Sequence, residues 1–213
     1  MEKLVLFDFD GVIVDTYRPI PFVAKRLAKH LGVKKEKVKY FVNDLLRYYD
    51  NPNGPMLPYL ERVFRNHMLP CAPRETARAY EMFQMWRTEG AAPMRNIEEF
   101  LIWARNNQVE TKILTQPDEI KGLKTRRIKT SSVVYYFDAI DVIPFQPDKI
   151  KLYAQNCKKS DVLFITGDNK ALSSAISAGV KTANLTDGPE AFSGTQLPTF
   201  RISDFTQLET ILA

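Results

Sequence analysis

Apolar residues follow two different rhythms along this chain, and the change between them falls near residue 93. The first apolar run, Leu4-Val5-Leu6-Phe7, is apolar on both faces and predicts a short buried strand of a covered parallel sheet. From residue 17 to about 92 the spacing is helical throughout. Pro19 and Pro21 open a predicted helix that runs through Phe22, Val23, Leu27 and Leu31 to Gly32. Val38, Phe41, Val42 and Leu45 mark a second helix, and two more are predicted over 59–68 and 74–87. Asn51-Pro52-Asn53-Gly54-Pro55 is a turn signal, and 90–93 reads as a linker. A helix over 96–107, with Ile97, Phe100, Leu101 and Ala104 on one stripe, then opens an alternation. Strands are predicted at 111–115, near 140–143, at 162–166, at 181–185 and near 200–202, with helices between most of them and a last helix over 204–212. Repeated strand-then-helix units imply a parallel sheet with helices on both faces. The predicted organisation is an α/β core of residues 1–16 and 93–213, interrupted by an all-helical insert over 17–92.

Composition narrows the class without changing this picture. A chain of 213 residues, 45% hydrophobic and 26% charged, suits one large domain or a core plus a small cap. No uninterrupted apolar stretch predicts a membrane span, and the residues after Met1 lack the basic and apolar regions of a signal peptide. Cys71 and Cys157 lie far apart in unlike contexts and read as small buried hydrophobes in a reducing, cytoplasmic setting. His30 and His67 have no second ligand at metal-site spacing and read as ordinary helix residues. The net charge of +5 is mildly basic, and its clusters, Lys34-Lys35-Glu36-Lys37 and Lys124-Thr125-Arg126-Arg127, read as solvated faces. Without a basic stripe carrying stacking aromatics, nucleic acid is not an expected partner. An anionic small substrate explains the balance as well.

Chemistry concentrates where the first strand ends, at Asp8-Phe9-Asp10-Gly11-Val12. Positions i and i+2 of a strand face one side, so Asp8 and Asp10 converge if the extended geometry persists. Two carboxylates that close repel unless a cation sits between them or one holds a proton. Gly11 lets the backbone turn sharply or approach a ligand closely. The C-terminal edge of a strand is where open α/β sheets bind ligands. Asp and Gly also dominate plain turns, so these residues alone leave both readings open.

The longer string, an apolar strand followed by DFDGVIVDT, resembles the first motif of the haloacid dehalogenase-like hydrolase superfamily, whose members are mostly phosphatases. Asp15 and Thr16 fit the form common in its helical-cap subgroup. The resemblance covers nearly the whole chain and implies a Rossmann-like parallel-sheet core with an inserted helical cap. Leu114-Thr115 matches the second motif, which implies that Thr115 donates to a phosphate oxygen, with the Gln116 amide as a further donor and Gly11 also in the substrate-binding site. Phe164-Ile165-Thr166-Gly167-Asp168-Asn169 resembles the start of the acidic fourth motif, implying that Asp8, Asp168 and the Asp10 carbonyl hold Mg²⁺. Tyr136-Phe137-Asp138-Ala139-Ile140 resembles a stretch preceding the third core strand and reads as packing. Two departures stand out. The second acid of the fourth motif is replaced by Leu172 and Ser173, and no further acid occurs before Asp187. In Phe145-Gln146-Pro147-Asp148-Lys149, Gln146 stands where the family's third-motif lysine is expected. Lys149 is the candidate substitute for that catalytic lysine, with Lys151 behind it, against the plainer reading of both as solvated.

The resemblance also implies a reaction. Asp8 attacks phosphorus to give an aspartyl-phosphate, and Asp10 protonates the leaving alkoxide and then deprotonates water. That second carboxylate argues against a true dehalogenase, because halide leaves without a proton. The cap would close over the substrate and exclude water. Its residues Tyr17, Arg18, Arg47 and Arg62 either meet an anionic substrate or are simply exposed. The expected partner is a small phosphorylated metabolite, not nucleic acid or membrane, and the expected assembly a monomer or homodimer. Two alternatives remain: a degenerate member that binds a phospho-ligand or partner without turnover, favoured by Gln146 and Leu172, and a phosphotransferase or mutase sharing every core residue.

Overall fold

Leu4, Val5, Leu6 and Phe7 are fully buried because the strand they form runs through the middle of the sheet. A computed structural model describes residues 3–50, 54–157, 161–185 and 197–213. Among them are strands β1 (Lys3–Phe7), β2 (Glu110–Thr115), β3 (Ala139–Val142), β4 (Asp161–Ile165), β5 (Lys181–Leu185) and β6 (Phe200–Ile202). They form one sheet in the order β3-β2-β1-β4-β5-β6, every pairing parallel. The chain therefore builds outward from β1 in one direction and then in the other, leaving a crevice where the order reverses. Phe7 is in register with Ile113 on one side and Ile165 on the other, so the residues just beyond these three strand ends share one edge.

The two-residue repeat of β1 divides its side chains between two cores. Val5 and Phe7 pack with α5 (Ile97–Asn106) and α9 (Gln207–Leu212), where the rings of Phe100, Phe137 and Phe205 surround Phe7. Leu4 and Leu6 face the opposite way, toward α7 (Pro147–Asn156) and α8 (Asn169–Ser177), with Ile150, Phe164, Ala171 and Ala175. The stretch read as packing around Phe137 does pack, and the Asp138 carboxylate adds a bond from Thr111 N–H at 2.8 Å.

Helices α1 (Ile20–His30), α2 (Val38–Asp50), α3 (Met56–Asn66) and α4 (Pro73–Glu89) form the cap. Their apolar stripes close on a separate core that includes Leu27, Phe41, Leu45, Leu60, Phe64 and Phe83. Helix α3 starts earlier than its predicted first residue, 59. Pro58 lies in its first turn, where a missing N–H costs nothing. Of the predicted turn, Asn51–Asn53 lie outside the described residues, while Gly54 has the left-handed φ of +83° that glycine favours. His67 is more than a plain helix residue, since its Nε2 lies 2.9 Å from an Asp44 oxygen and its ring meets Phe41 edge-on. Cys71 and Cys157 are free and half-buried. No helix among the described residues is long and apolar enough to cross a membrane.

One element to which the sequence reading gave no bounds matters most for the site. Helix α6 (Leu123–Lys129) follows β2 and lies between cap and sheet: Leu123 is buried in the cap core and Ile128 in the sheet core. The loop before it is fastened to the cap as well, because the Glu119 carboxylate accepts from the N–H groups of Met56 and Leu57 at 2.5 and 3.0 Å. Those are orphan donors of the first turn of α3, so a core loop caps a cap helix.

Candidate active site

Asp8 is the first residue beyond β1, and its side chain is held by the ends of both neighbouring strands. Its N–H donates to the Ile165 carbonyl at 2.9 Å, continuing the ladder with β4. Oδ1 accepts from the Thr115 hydroxyl at 2.7 Å and from Phe9 N–H at 2.7 Å. Oδ2 accepts from the Thr166 hydroxyl at 3.2 Å. The Thr166 oxygen accepts in turn from Asp168 N–H at 3.1 Å, and its carbonyl accepts from the buried Asn184 amide at 3.1 Å. Only 7% of Asp8 is exposed. Burial pushes its pKa up to about 7; Lys124 and the Thr115 hydroxyl pull against this, while the charges of Asp10 and Asp168 add to it.

The extended geometry does not persist to Asp10. Gly11 adopts φ +74° and donates to the Val14 carbonyl at 2.9 Å, so the chain turns immediately after the strand. A side chain at that φ would be strained, which gives Gly11 a backbone role beside its expected one at the substrate. Asp8 consequently faces the threonines while Asp10 faces α6. There Lys124 and Arg127 both bond its carboxylate. Arg127 also reaches Asp118 at 2.9 and 3.1 Å and the Thr88 hydroxyl of α4 at 2.9 Å. Lys124 pairs with Asp118 at 3.2 Å. Arg87, on the last turn of α4, lies 3.7 Å from Asp10 and bonds Thr16, Gln84 and Tyr49. Burial alone raises the pKa of Asp10, but Arg127, Lys124 and Arg87 outweigh it and hold the carboxyl well below the usual carboxylate range.

This corrects the expectation that Lys124-Thr125-Arg126-Arg127 forms a solvated face. Lys124 and Arg127 are 7% and 1% exposed, whereas Arg126 is exposed and pairs with Glu81 at 2.7 Å. Helical spacing of three puts positions 124 and 127 on one side of α6, where Asp10 and Asp118 meet them. The signal available in the sequence was the apolar spacing of Ile120, Leu123 and Ile128 around the basic string, which marks a buried face. Thr166 was likewise inside a quoted motif, yet its bond to Asp8 shows only in the structure.

The remaining candidates divide. Asp168 lies at the end of β4 as the N-cap of α8, its Oδ1 accepting from Ala171 N–H at 2.7 Å. Gln116 is half-buried beyond Thr115. Gln146 is exposed at the start of α7, and Lys149 and Lys151 are exposed on that helix with no ion pair among the described residues. Leu172, where the second acid is expected, is fully buried in the core; Asp187 lies outside the described residues. In the cap, Arg18, Arg47 and Arg62 are exposed. Tyr17 is half-buried, and the Arg87 guanidinium sits 5.4 Å from both its ring and that of Tyr49.

The donor chemistry fits Mg²⁺. Among the described residues no three acidic, histidine or cysteine side chains converge as a closed metal cage. Mg²⁺ does not need one, since it takes one or two carboxylates, keeps waters and shares the substrate phosphate. Asp8 and Asp168 supply hard oxygens at the ends of adjacent strands, and the Asp10 carbonyl follows β1 on the same edge. A carboxylate whose pKa is raised first by burial and further by the charges of Asp10 and Asp168 is one that a divalent cation would stabilise in its charged form.

Comparison with known proteins agrees with the fold. The family model described as haloacid dehalogenase-like hydrolase matches residues 5–185. Similar solved structures include YfnB of Bacillus subtilis, a HAD-hydrolase bound to magnesium, with TM-score 0.71 and 15% identity over 99% of this chain and 98% of that one. A protein assigned as a β-phosphoglucomutase from Thermotoga maritima gives TM-score 0.71 and 14% identity over 99% and 98% of the two chains. A predicted phosphoglycolate phosphatase from Haemophilus somnus gives 0.71 and 15% over 100% and 98%. At such identities the likeness is one of fold. No protein of curated function matches the chain.

Proposed function

Because the chain belongs to the haloacid dehalogenase-like hydrolase family, we propose that it is a Mg²⁺-dependent phosphatase acting on a small phosphorylated metabolite. The observation that carries this reading is Asp8. It is a buried carboxylate at the sheet's switch point, oriented by hydroxyls from both flanking strands, and no cation bonds it directly among the described residues. A purely structural aspartate at that depth would be paired. The likeness to structures assigned as phosphatase and phosphoglucomutase, one of the similar structures being magnesium-bound, supports the same reading.

In this reaction an Asp8 oxygen attacks phosphorus, the bond from phosphorus to the leaving oxygen breaks, and Asp10 gives that oxygen its proton. Asp10 then takes a proton from water, which attacks the aspartyl-phosphate and releases phosphate, restoring Asp8. Thr115 and Thr166 hold the nucleophile's oxygens in place throughout. Asp8, Asp168 and the Asp10 carbonyl would hold Mg²⁺, which when bound offsets charge on the phosphoryl oxygens. With Lys124 and Arg127 on its carboxylate, Asp10 stands in its base form. Acting as the acid requires it first to leave those cations.

That clamp also favours a second reading, binding of a phospho-ligand without turnover. One experiment separates the two. Mg²⁺-dependent phosphate release is measured from an aryl phosphate and a panel of phosphometabolites, with Asp8→Asn as control. Release by the wild type that is lost in Asp8→Asn supports the phosphatase, and transfer to a second metabolite in place of water would mark a phosphotransferase. No release from any substrate, or release unchanged in Asp8→Asn, contradicts it.

A further inference from the structure

We propose that Lys124 is the ammonium that binds the transferring phosphoryl group beside Asp8, in place of the lysine missing at position 146. The proposal rests on the phosphatase reading and names a further catalytic residue for it. Three observations lead to it.

The first is that α7 offers no cation to the site. Gln146 is exposed and uncharged, and Lys149 and Lys151 are exposed without ion pairs among the described residues. A phosphoryl dianion arriving at Asp8 would find no ammonium held ready on that side.

The second is the placement of Lys124. Gly122, at φ +77°, turns the chain into α6 so that Leu123 enters the cap core and Lys124 is buried against Asp10. A cation in the first turn of a helix opposes the helix dipole, and burial adds a further cost. Asp10 and Asp118 offset both, which makes this a built position for a charge that plain packing would avoid. Of the cations near the site, Lys124 is the one whose field acts most strongly on Asp8.

The third is donor arithmetic. An ammonium carries three N–H groups. Among the described residues Lys124 directs its charge to two carboxylates, Asp10 and Asp118, which leaves one donor for an incoming oxygen. Arg127 commits four of its five N–H groups to Asp10, Asp118 and Thr88, and Arg87 four of its five to Thr16, Gln84 and Tyr49, so both guanidiniums chiefly join cap to core. An N–H of Lys124 donates to a phosphoryl oxygen while the phosphorus bonds change at Asp8.

The test compares wild type, Lys124→Met and Lys149→Ala for inorganic phosphate binding by calorimetry in Mg²⁺, for kcat and KM, and for thermal unfolding. Lys124→Met should weaken phosphate binding about tenfold, as loss of one charge-assisted contact does. It should also lower kcat roughly a hundredfold, the effect of removing one donor from a transition-state oxygen. Lys149→Ala should match the wild type in both. Phosphate binding that needs Lys124 in a protein that hydrolyses nothing would uphold Lys124 and sink only the phosphatase reading. A folded Lys124→Met that binds phosphate like the wild type, a loss seen in Lys149→Ala instead, or no phosphate binding by the wild type would each overturn the proposal. Should Lys124→Met not fold, a crystal structure of the wild type with Mg²⁺ and vanadate decides. An oxyanion within hydrogen-bond distance of Lys124 Nζ supports it, and one bound without that contact overturns it.

Discussion

The Thr115 hydroxyl donates to Asp8 Oδ1 at 2.7 Å, so the residue that ends β2 orients the carboxylate that follows β1. A hydrogen bond to a charged group contributes about 2 kcal/mol, and valine is close to threonine in shape while lacking the donor. Thr115→Val should therefore keep the fold, shown by an unchanged far-ultraviolet circular dichroism spectrum. It should lose between about tenfold and a hundredfold in kcat/KM for phosphate release. An undiminished rate would mean that Thr115 neither orients the nucleophile nor touches the phosphoryl group.

Without metal, Asp8 makes stability depend on pH in a direction opposite to that of most carboxylates. Unfolded, it loses its proton near the ordinary value of 3.8, but folded it keeps the proton up to about 7. Between those values the unfolded chain binds fewer protons than the folded one, so stability falls as pH rises. The fall is on the order of 4 kcal/mol, from the shift between 3.8 and about 7. Urea unfolding in a metal chelator, from about pH 4 to pH 8, should show this decline in the wild type and a flatter profile in Asp8→Asn. Asp8→Asn should then be the more stable protein at the alkaline end. Parallel profiles would show that Asp8 ionises normally.

Arg87 donates from Nη2 to the Thr16 hydroxyl at 3.0 Å and from Nε to the Thr16 carbonyl at 3.1 Å, joining cap helix α4 to the turn that follows the first motif. Both residues are buried. Thr16→Val removes the hydroxyl acceptor and leaves a buried cationic N–H without it, at a cost of about 2 kcal/mol. Chemical denaturation should show that loss as a lower midpoint with an unchanged slope. A change within about 0.5 kcal/mol would show the contact to be dispensable.

What could be read from the chain follows the reach of each signal. The apolar pair of faces on Leu4-Val5-Leu6-Phe7 and the helical spacing of the cap are local, and they set the sheet and the insert. Asp8 and Thr115 could be placed because one directly follows a strand and the other ends one, and Asp168 because it lies three residues past β4; parallel strands bring such positions to one edge. Lys124 and Arg127 were not, because their burial depends on Asp10, Asp118 and Thr88, which lie on three separate segments. A basic string looks solvated until its partners are placed around it. The start of α3 at Met56 rather than at residue 59 has a local cause, since Pro58 is harmless in the first turn of a helix.

The claim that Asp8 is the nucleophile is tested most directly by trapping its phosphoryl adduct. Wild type and Asp8→Asn are mixed with Mg²⁺ and a hydrolysed substrate, quenched in acid, digested and mapped by mass spectrometry. The account predicts one phosphoryl group on the peptide that contains Asp8, absent from Asp8→Asn and lost on treatment with hydroxylamine. A phosphoryl group on any other residue, or steady hydrolysis with no adduct at any quench time, would contradict it.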